Sequence, residues 1–395
     1  MNKTIKDYDL TGKKVLIRCD FNVPIINGEI IDETRIDASL KTIRYAIDRQ
    51  AKVILMSHLG RIKEEGDKQD NSLLSISIKL SEKLDQKVLF IPQTRGLKLE
   101  TAIKKMKNGE IILMENTRFE DLNNEAESKN DLELSKYWAN LADIYINDAF
   151  GSIHRAHAST YGVPSLLPNG IGFLIEKELK ALSYFANPER PFIIILGGAK
   201  IKDKIGIIDK LLPKADLILI GGGMSYTFLK AKGYEIGTSL LDKESLPYVK
   251  RLIKEYNDKI VLPIDLNVTV EFSNTTINRI VSIENIDPKE MGMDIGPNTI
   301  EQFKQILNTA KSVFWNGPLG VYEFSKYEIG TKKILEVIAN INAHVVLGGG
   351  DIVAAANKFD YKDKVTHACT GGGATLEYLE GKKLPGIEII EKIES

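Results

Sequence analysis

A chain of 395 residues, 43% apolar and 27% charged, is long enough for two hydrophobic cores and excludes a disordered chain, a coiled coil and a collagen. Lys and Arg total 53 against 54 Asp and Glu, a net charge of -1 that leaves no basic excess for nucleic acid. The two cysteines, Cys19 and Cys369, are too few for a disulfide framework, MNKTIKDYDL lacks the apolar stretch of a signal peptide, and runs such as FIIIL (192–196) fall far short of the ~20 residues of a membrane span. The expectation is a cytoplasmic, soluble protein with no nucleic-acid or membrane partner.

In chain order, short apolar runs alternate with longer amphipathic stretches. The first strands are predicted at KVLIR (14–18), KVILM (52–56), KVLF (87–90), EIILM (110–114) and DIYIN (143–147). Between the first two, DETRIDASLKTIRYAID repeats Ile36, Leu40, Ile43 and Ile47 at helical spacing, with Arg35 off that stripe. IEKELKALSYFANPERP (175–191) reads as a connecting helix ended by Pro188 and Pro191. Further strands are predicted at FIIIL (192–196), DLILI (216–220), KIVL (259–262), SVFW (312–315), HVVL (344–347) and VTHAC (365–369). Near-continuous apolar character fits parallel strands buried on both faces. The expected fold is α/β: two doubly wound, Rossmann-like parallel-sheet domains joined by an interdomain helix, with a cleft between them. The expected boundaries are 1–172, a hinge at 173–190, 191–375, and a segment 376–395 packing back on the first domain.

Ligands of open α/β sheets bind beyond the carboxyl ends of the strands. In the first half those ends carry Asp20-Phe21-Asn22, His58-Leu59-Gly60-Arg61, Arg118, and Arg155 between His154 and His157, while Arg35 opens a helix. Arginine forks match carboxylate and phosphate, so this rim suits a small, multiply charged anion. A zinc site built from the histidines lacks carboxylate or thiolate partners at ligand spacing. In the second half the strands run into Gly197-Gly198, Gly221-Gly222-Gly223, Gly348-Gly349-Gly350-Asp351 and Gly371-Gly372-Gly373. Glycines admit backbone N–H groups close to a ligand, and following helix N-termini favour phosphate. Lys200 and Lys204 follow the first pair. The P-loop, the G-x-G-x-x-G dinucleotide fingerprint and the protein-kinase motifs are all absent. An anion site on one domain and a nucleotide site on the other imply group transfer, and phosphoryl transfer needs positioning and charge neutralisation rather than a protein nucleophile.

Ten motifs in order, among them RCDFNVP (18–24), SHLGR (57–61), ENTRF (115–119), NDAFGSIHRAHAS (147–159), GGAKIKDK (197–204), MGMDIGP (291–297), WNGPLGVYE (315–323) and GGGDIVAAANK (348–358), resemble phosphoglycerate kinase over essentially the whole chain. The resemblance implies reversible phosphoryl transfer from ATP to 3-phosphoglycerate with Mg2+, in a monomer. It implies that Asp20, Phe21, Asn22, Arg35, His58, Leu59, Gly60, Arg61, Arg118 and Arg155 hold the phosphoglycerate. It further implies that Gly198, Lys200, Lys204, Gly222, Gly292, Asn316, Pro318, Glu323, Gly349, Gly350, Asp351 and Ile352 hold the nucleotide. Asp351 is the implied metal-side acid, and Arg35, Lys200, Gly350 and Gly373 are the implied catalytic positions. The chain departs from the family pattern at Cys19 (usually Val), Cys369 (often Ser) and Ile352 (usually Ser or Thr). Only the last touches a nucleotide contact, and Ile352→Thr is expected to lower the KM for MgATP. Two rivals are an acyl-phosphate-forming kinase for another carboxylate and a non-catalytic, two-lobed anion-binding protein.

Overall fold

Apolar runs such as 15–17 and 193–196 have no polar face to leave in water, so each must be covered on both sides. They are so covered in the computed structural model, which describes residues 2–26 and 28–393. Its contacts divide the chain into two units, one reaching to Lys180 and including the residues from Lys383 on, the other Ala181–Lys382. Both are α/β.

The first unit holds a six-stranded parallel sheet in the order Val88–Ile91, Ile111–Met114, Lys52–Met56, Lys14–Cys19, Ile144–Asp148, Asn169–Ile171. Alternate strand residues go to opposite faces. Val15, Ile17, Val53 and Leu55 pack with Ile36 and Ile43 of the helix Thr34–Asp48 and with Ile76 and Leu80 of Leu74–Leu84. Leu16, Ile54, Met56 and Ile112 pack the other way, against Leu99, Ile103, Leu134 and Trp138. That makes the sheet doubly wound. The chain's two ends meet on this unit: Lys3 N–H donates to Glu391 O at 2.8 Å, and Glu391 N–H donates to Asn169 Oδ1 at 2.9 Å.

The second unit repeats the plan with the order Ile260–Val261, Leu217–Ile220, Phe192–Leu196, Ser312–Asn316, His344–Leu347, His367–Ala368. The edge strands are shorter than the runs KIVL and VTHAC suggest. An antiparallel sheet also appears, Asn278–Ser282, Asp265–Thr269 and Met291–Ile295, which the apolar-run criterion passes over. Its central strand buries polar side chains that find distant partners: Asp265 accepts from Thr299 N–H at 2.8 Å, and Asn267 Oδ1 accepts from Asn278 Nδ2 at 2.8 Å. The connecting helix spans Phe173–Ser183 and stops before Pro188, because 184–186 turns to bury Phe185 against Phe192 and Phe314.

Each sheet has a point where connections from neighbouring strands leave for opposite edges. In the first it falls at the register pair Cys19 and Asp148, in the second at Leu196 and Asn316. Ligands of such sheets sit at these points. No described helix is long and apolar enough to cross a membrane.

Candidate active site

At the first switch point the loop after Cys19 meets the loop after Asp148 so closely that a Cβ on Gly151 would lie 2.4 Å from Asp20 Oδ2. Asp20 is buried, and both its oxygens accept from Arg35 Nη1, at 2.8 and 2.9 Å. The neighbouring loops lock together. Asn22 Oδ1 accepts from Gly60 N–H at 2.9 Å, Asn116 spans Leu59 through both its amide atoms, and Arg118 Nη1 donates to Gly60 O at 3.0 Å. Gly60 is in the left-handed region (φ +60°), where a Cβ would strike Asn71.

Beneath this rim lies a buried polar cluster. Arg18 is fully buried, with Nε on Ser159 Oγ at 2.9 Å and Nη2 3.1 Å from His58 Nδ1. Ser159 in turn bonds the fully buried Glu127. Burial, with Arg18, Arg118 and Arg35 behind it, pushes His58 well below the usual histidine range. Burial, with Arg18, Arg118 and Arg155 behind it, pushes His157 down to about 3. Burial, with Arg155 next, also lowers Arg118, whose Nε is buried without a partner among the described residues. The field here is strongly positive. It favours an anion.

At the second switch point the backbones touch. A Cβ on Gly197 would lie 2.0 Å from Pro318 O, and one on Gly317 would lie 2.4 Å from Gly197 O. These two glycines serve packing. Gly198, Gly350 and Gly372 differ, for a Cβ on any of them would meet nothing within 4 Å. Gly350 begins the helix Gly350–Lys358, whose opening N–H groups lack intrahelical partners, whereas at the start of Gly222–Ala231 Gly222 N–H donates to Leu319 O and Met224 N–H to Gly198 O, both at 2.9 Å. Lys204 Nζ donates to Asn316 Oδ1, and Asn316 Nδ2 to Gly348 O. Burial lowers the Lys204 ammonium against the opposing pull of Asp351. Beside this lies a cavity of about 710 Å³, of ligand size. Its walls are mostly apolar, with Tyr226, Leu240, Phe272, Met291 and Phe324 among them, and Glu323 and Asp351 supply carboxylates.

A family model described as phosphoglycerate kinase matches residues 5–382. The chain belongs to the phosphoglycerate kinase family. It is 53% identical over 395 residues to a phosphoglycerate kinase of Fusobacterium nucleatum, covering 99% of both chains. Over 390 residues it is 52% identical to that of Listeria welshimeri, covering 98% of both. Among solved structures, phosphoglycerate kinases from Coxiella burnetii and Pyrococcus horikoshii each superpose with a TM-score of 0.87 over 98% of both chains, at 38% and 32% identity. Membership makes this chain a glycolytic phosphotransferase with a carboxyl group as acceptor and with nucleotide and 3-phosphoglycerate as substrates.

The kinase brings most expected rim residues into one bonded set: Asp20, Asn22, Arg35, Leu59, Gly60 and Arg118. Phe21 supports it from within, buried, with its N–H on Ser57 Oγ at 2.8 Å. Arg61 and Arg155 stay exposed. His58 joins as an acceptor for an arginine rather than as a fifth cation. Of the expected nucleotide residues, Gly198, Gly222, Gly292, Pro318, Glu323 and Asp351 line the cavity. Lys204, Asn316 and Gly349 adjoin it, a Cβ on Gly349 meeting Asn316 Nδ2 at 2.4 Å. Lys200 is exposed in the loop, and Gly373 begins the short helix Gly373–Leu379. The Ile352 side chain is fully buried in the core with Ala355 and Ala356, so it faces the sheet and not the ligand. Sequence reasoning missed Arg18, Glu127 and Ser159, although a charge inside an apolar strand was a visible signal. It also missed the apolar cavity walls: Tyr226 stands on the helix Gly222–Ala231, Met291 on the antiparallel sheet, and Leu240, Phe272 and Phe324 in loops.

Proposed function

We propose that the first unit's rim holds 3-phosphoglycerate and the second unit's cavity holds the adenosine, with the phosphates over Gly198, Gly350 and Lys204. The opposite chemistry of the two switch points carries this division. One is walled by arginines around an Arg35–Asp20 ion pair, the other by open glycines beside an apolar cavity. The domain roles follow: 1–172 for phosphoglycerate, 191–375 for nucleotide, 173–190 as hinge and 376–395 as the returning segment. The site acts in a cytoplasmic monomer.

The reaction asks little covalent work of the protein. A carboxylate oxygen of 3-phosphoglycerate bonds to the γ-phosphorus of ATP as the bond from that phosphorus to the β-bridging oxygen breaks, leaving ADP. The carboxylate is already ionised, so no general base is needed. Arg35 orients the acceptor and offers charge to the moving group, while Lys204 and the amides that open Gly350–Lys358 neutralise the donor phosphates. The Asp351 carboxylate, which opens the helix Gly350–Lys358 at the cavity, suits Mg2+, which binds through one or two carboxylates plus substrate phosphates. When bound, Mg2+ neutralises phosphate charge.

A coupled assay with ATP and 3-phosphoglycerate should show turnover that chelation abolishes and Mg2+ restores. Hydrogen exchange should slow at 20–22, 57–60 and 116–118 with 3-phosphoglycerate, and at 197–204 and 348–352 with nucleotide. Protection in the reverse pattern would refute the assignment.

A further inference from the structure

Arg18, next to last in the strand Lys14–Cys19, is fully buried. Its guanidinium is committed on three sides: Nε to Ser159 Oγ at 2.9 Å, Nη1 to Cys19 O, and Nη2 to His58 Nδ1 at 3.1 Å. A guanidinium has donors and no acceptor. The contact with Nδ1 therefore requires a lone pair on that nitrogen, so the imidazole carries its single proton on Nε2. We propose that Arg18 is a positioning residue for this kinase: it holds His58 as a neutral Nε2–H donor to the phosphoglycerate, in place of the cation that the residue type suggests. The substrate part of this rests on the reading that phosphoglycerate occupies the rim.

What fixes Arg18 is behind it. Ser159 N–H donates to Glu127 Oε2 at 2.9 Å and its hydroxyl donates to Oε1, leaving the Oγ lone pairs polarised toward Arg18. Tyr145 O–H holds Ser159 O at 2.7 Å. Glu127, fully buried, is the counter-charge that makes a buried arginine tolerable. The groups facing His58 from the surrounding loops, Arg118, Arg35 and His157, all oppose a proton on it, in the same direction as its burial. The rim's charge then rests on arginines, which do not titrate. Phosphoglycerate binding is thereby freed from the charge change that an ordinary histidine undergoes near pH ~6.5.

Long-range proton–nitrogen spectra of the full chain with nitrogen-15-labelled histidine, assigned with His58→Gln, read the tautomer directly. His58 should remain a neutral Nε2–H imidazole from about pH 5.5 to about pH 8. A signal that titrates in that window, or a proton on Nδ1, overturns the proposal. In Arg18→Met the same signal should begin to titrate at the acid end of that window, since burial, Arg118 and Arg35 still hold it below ~6.5. The variant-to-parent ratio of KM for 3-phosphoglycerate, which cancels the substrate phosphate's own titration, should fall several-fold as pH drops across the window, with the kcat ratio flat. A ratio independent of pH refutes the positioning role. Should Arg18→Met fail to fold, the parent's spectrum alone decides the tautomer. Adding 3-phosphoglycerate to the parent should shift the Nε2–H signal. An unshifted signal refutes the rim reading and the donor's substrate role, and leaves the tautomer standing.

Discussion

Arg35 is a side chain the fold can spare. The helix Thr34–Asp48 buries Ile36, Ser39, Thr42, Ile43 and Ala46, and Arg35 lies off that face with its side chain 31% exposed. Its bonds go to Asp20, which also accepts from Asn22 N–H at 3.2 Å. A transition-state arginine in phosphoryl transfer is worth roughly 10³–10⁵ in rate, or about 4–7 kcal/mol. Arg35→Ala should keep the parent's circular dichroism and lose kcat by that factor. A variant retaining more than a tenth of parental turnover would sink the role. Ile352 makes the opposite case. The motif expectation was that Ile352→Thr adds a phosphate contact, but the side chain packs in the core. The substitution buries a hydroxyl and should cost about 1–3 kcal/mol, with the KM for MgATP unchanged. Urea denaturation and steady-state kinetics together check this, and a lower KM at full stability would show the hydroxyl reaching the nucleotide after all.

At the scale of elements, the glycine groups split by what a methyl would meet. Gly197→Ala would place a Cβ 2.0 Å from a backbone oxygen of the neighbouring loop, which no rotamer change relieves. It should lower the unfolding midpoint sharply. Gly350→Ala has open space and a helical position, so it should keep or raise stability by up to ~1 kcal/mol. It would fill space that the phosphates need, and should raise the nucleotide KM or depress kcat at least tenfold. If Gly350→Ala were kinetically silent, the open glycines would not mark the phosphate path. The same elements show what the sequence could tell. Parallel strands such as Lys52–Met56 and Phe192–Leu196 were legible because burial on both faces leaves an unbroken apolar run. Their carboxyl ends pointed to the basic rim and to the glycine loops, while the strand order that makes two of those ends switch points came only with the fold. Asp265–Thr269 was not legible, because its buried Asp265 and Asn267 find partners at Thr299 and Lys326, 34 and 59 residues along the chain. Arg18 stayed hidden for a like reason, its partners Ser159 and His58 lying 141 and 40 residues away. Nor could spacing tell Gly197 from Gly350, since packing and ligand approach both demand glycine.

For the whole molecule, pH dependence follows from opposing buried groups. Burial pushes Asp148 in the first unit up to about 7 and Asp294 in the second up to about 8. Both are fully buried and accept helix N-terminal amides, Leu174 N–H at 2.9 Å and Gly330 N–H at 2.7 Å. A carboxyl whose folded value lies above its ordinary 3.8 binds its proton more tightly in the folded chain. Its stabilisation is complete in acid and drains away as pH rises toward the folded value, at no more than ~1.4 kcal/mol per pH unit. His58 and His157, both lowered, run the other way, with stability complete above ~6.5 and lost as pH falls. Below about pH 6.5 the two pairs oppose each other, and above it only the carboxyls still change. The urea midpoint should therefore fall between about pH 6.5 and about pH 8. Asp148→Asn is the cleaner probe, because Oδ1 accepts from Leu174 N–H while Oδ2 has no hydrogen-bond partner among the described residues, whereas Asp294 accepts through both oxygens. In that variant the first unit's transition, followed by hydrogen exchange in its central strands, should become flatter with pH while the second unit's slope persists. A parent midpoint that holds or rises across the interval, or an unchanged first-unit slope in Asp148→Asn, would show that these carboxyls are already ionised in the folded chain.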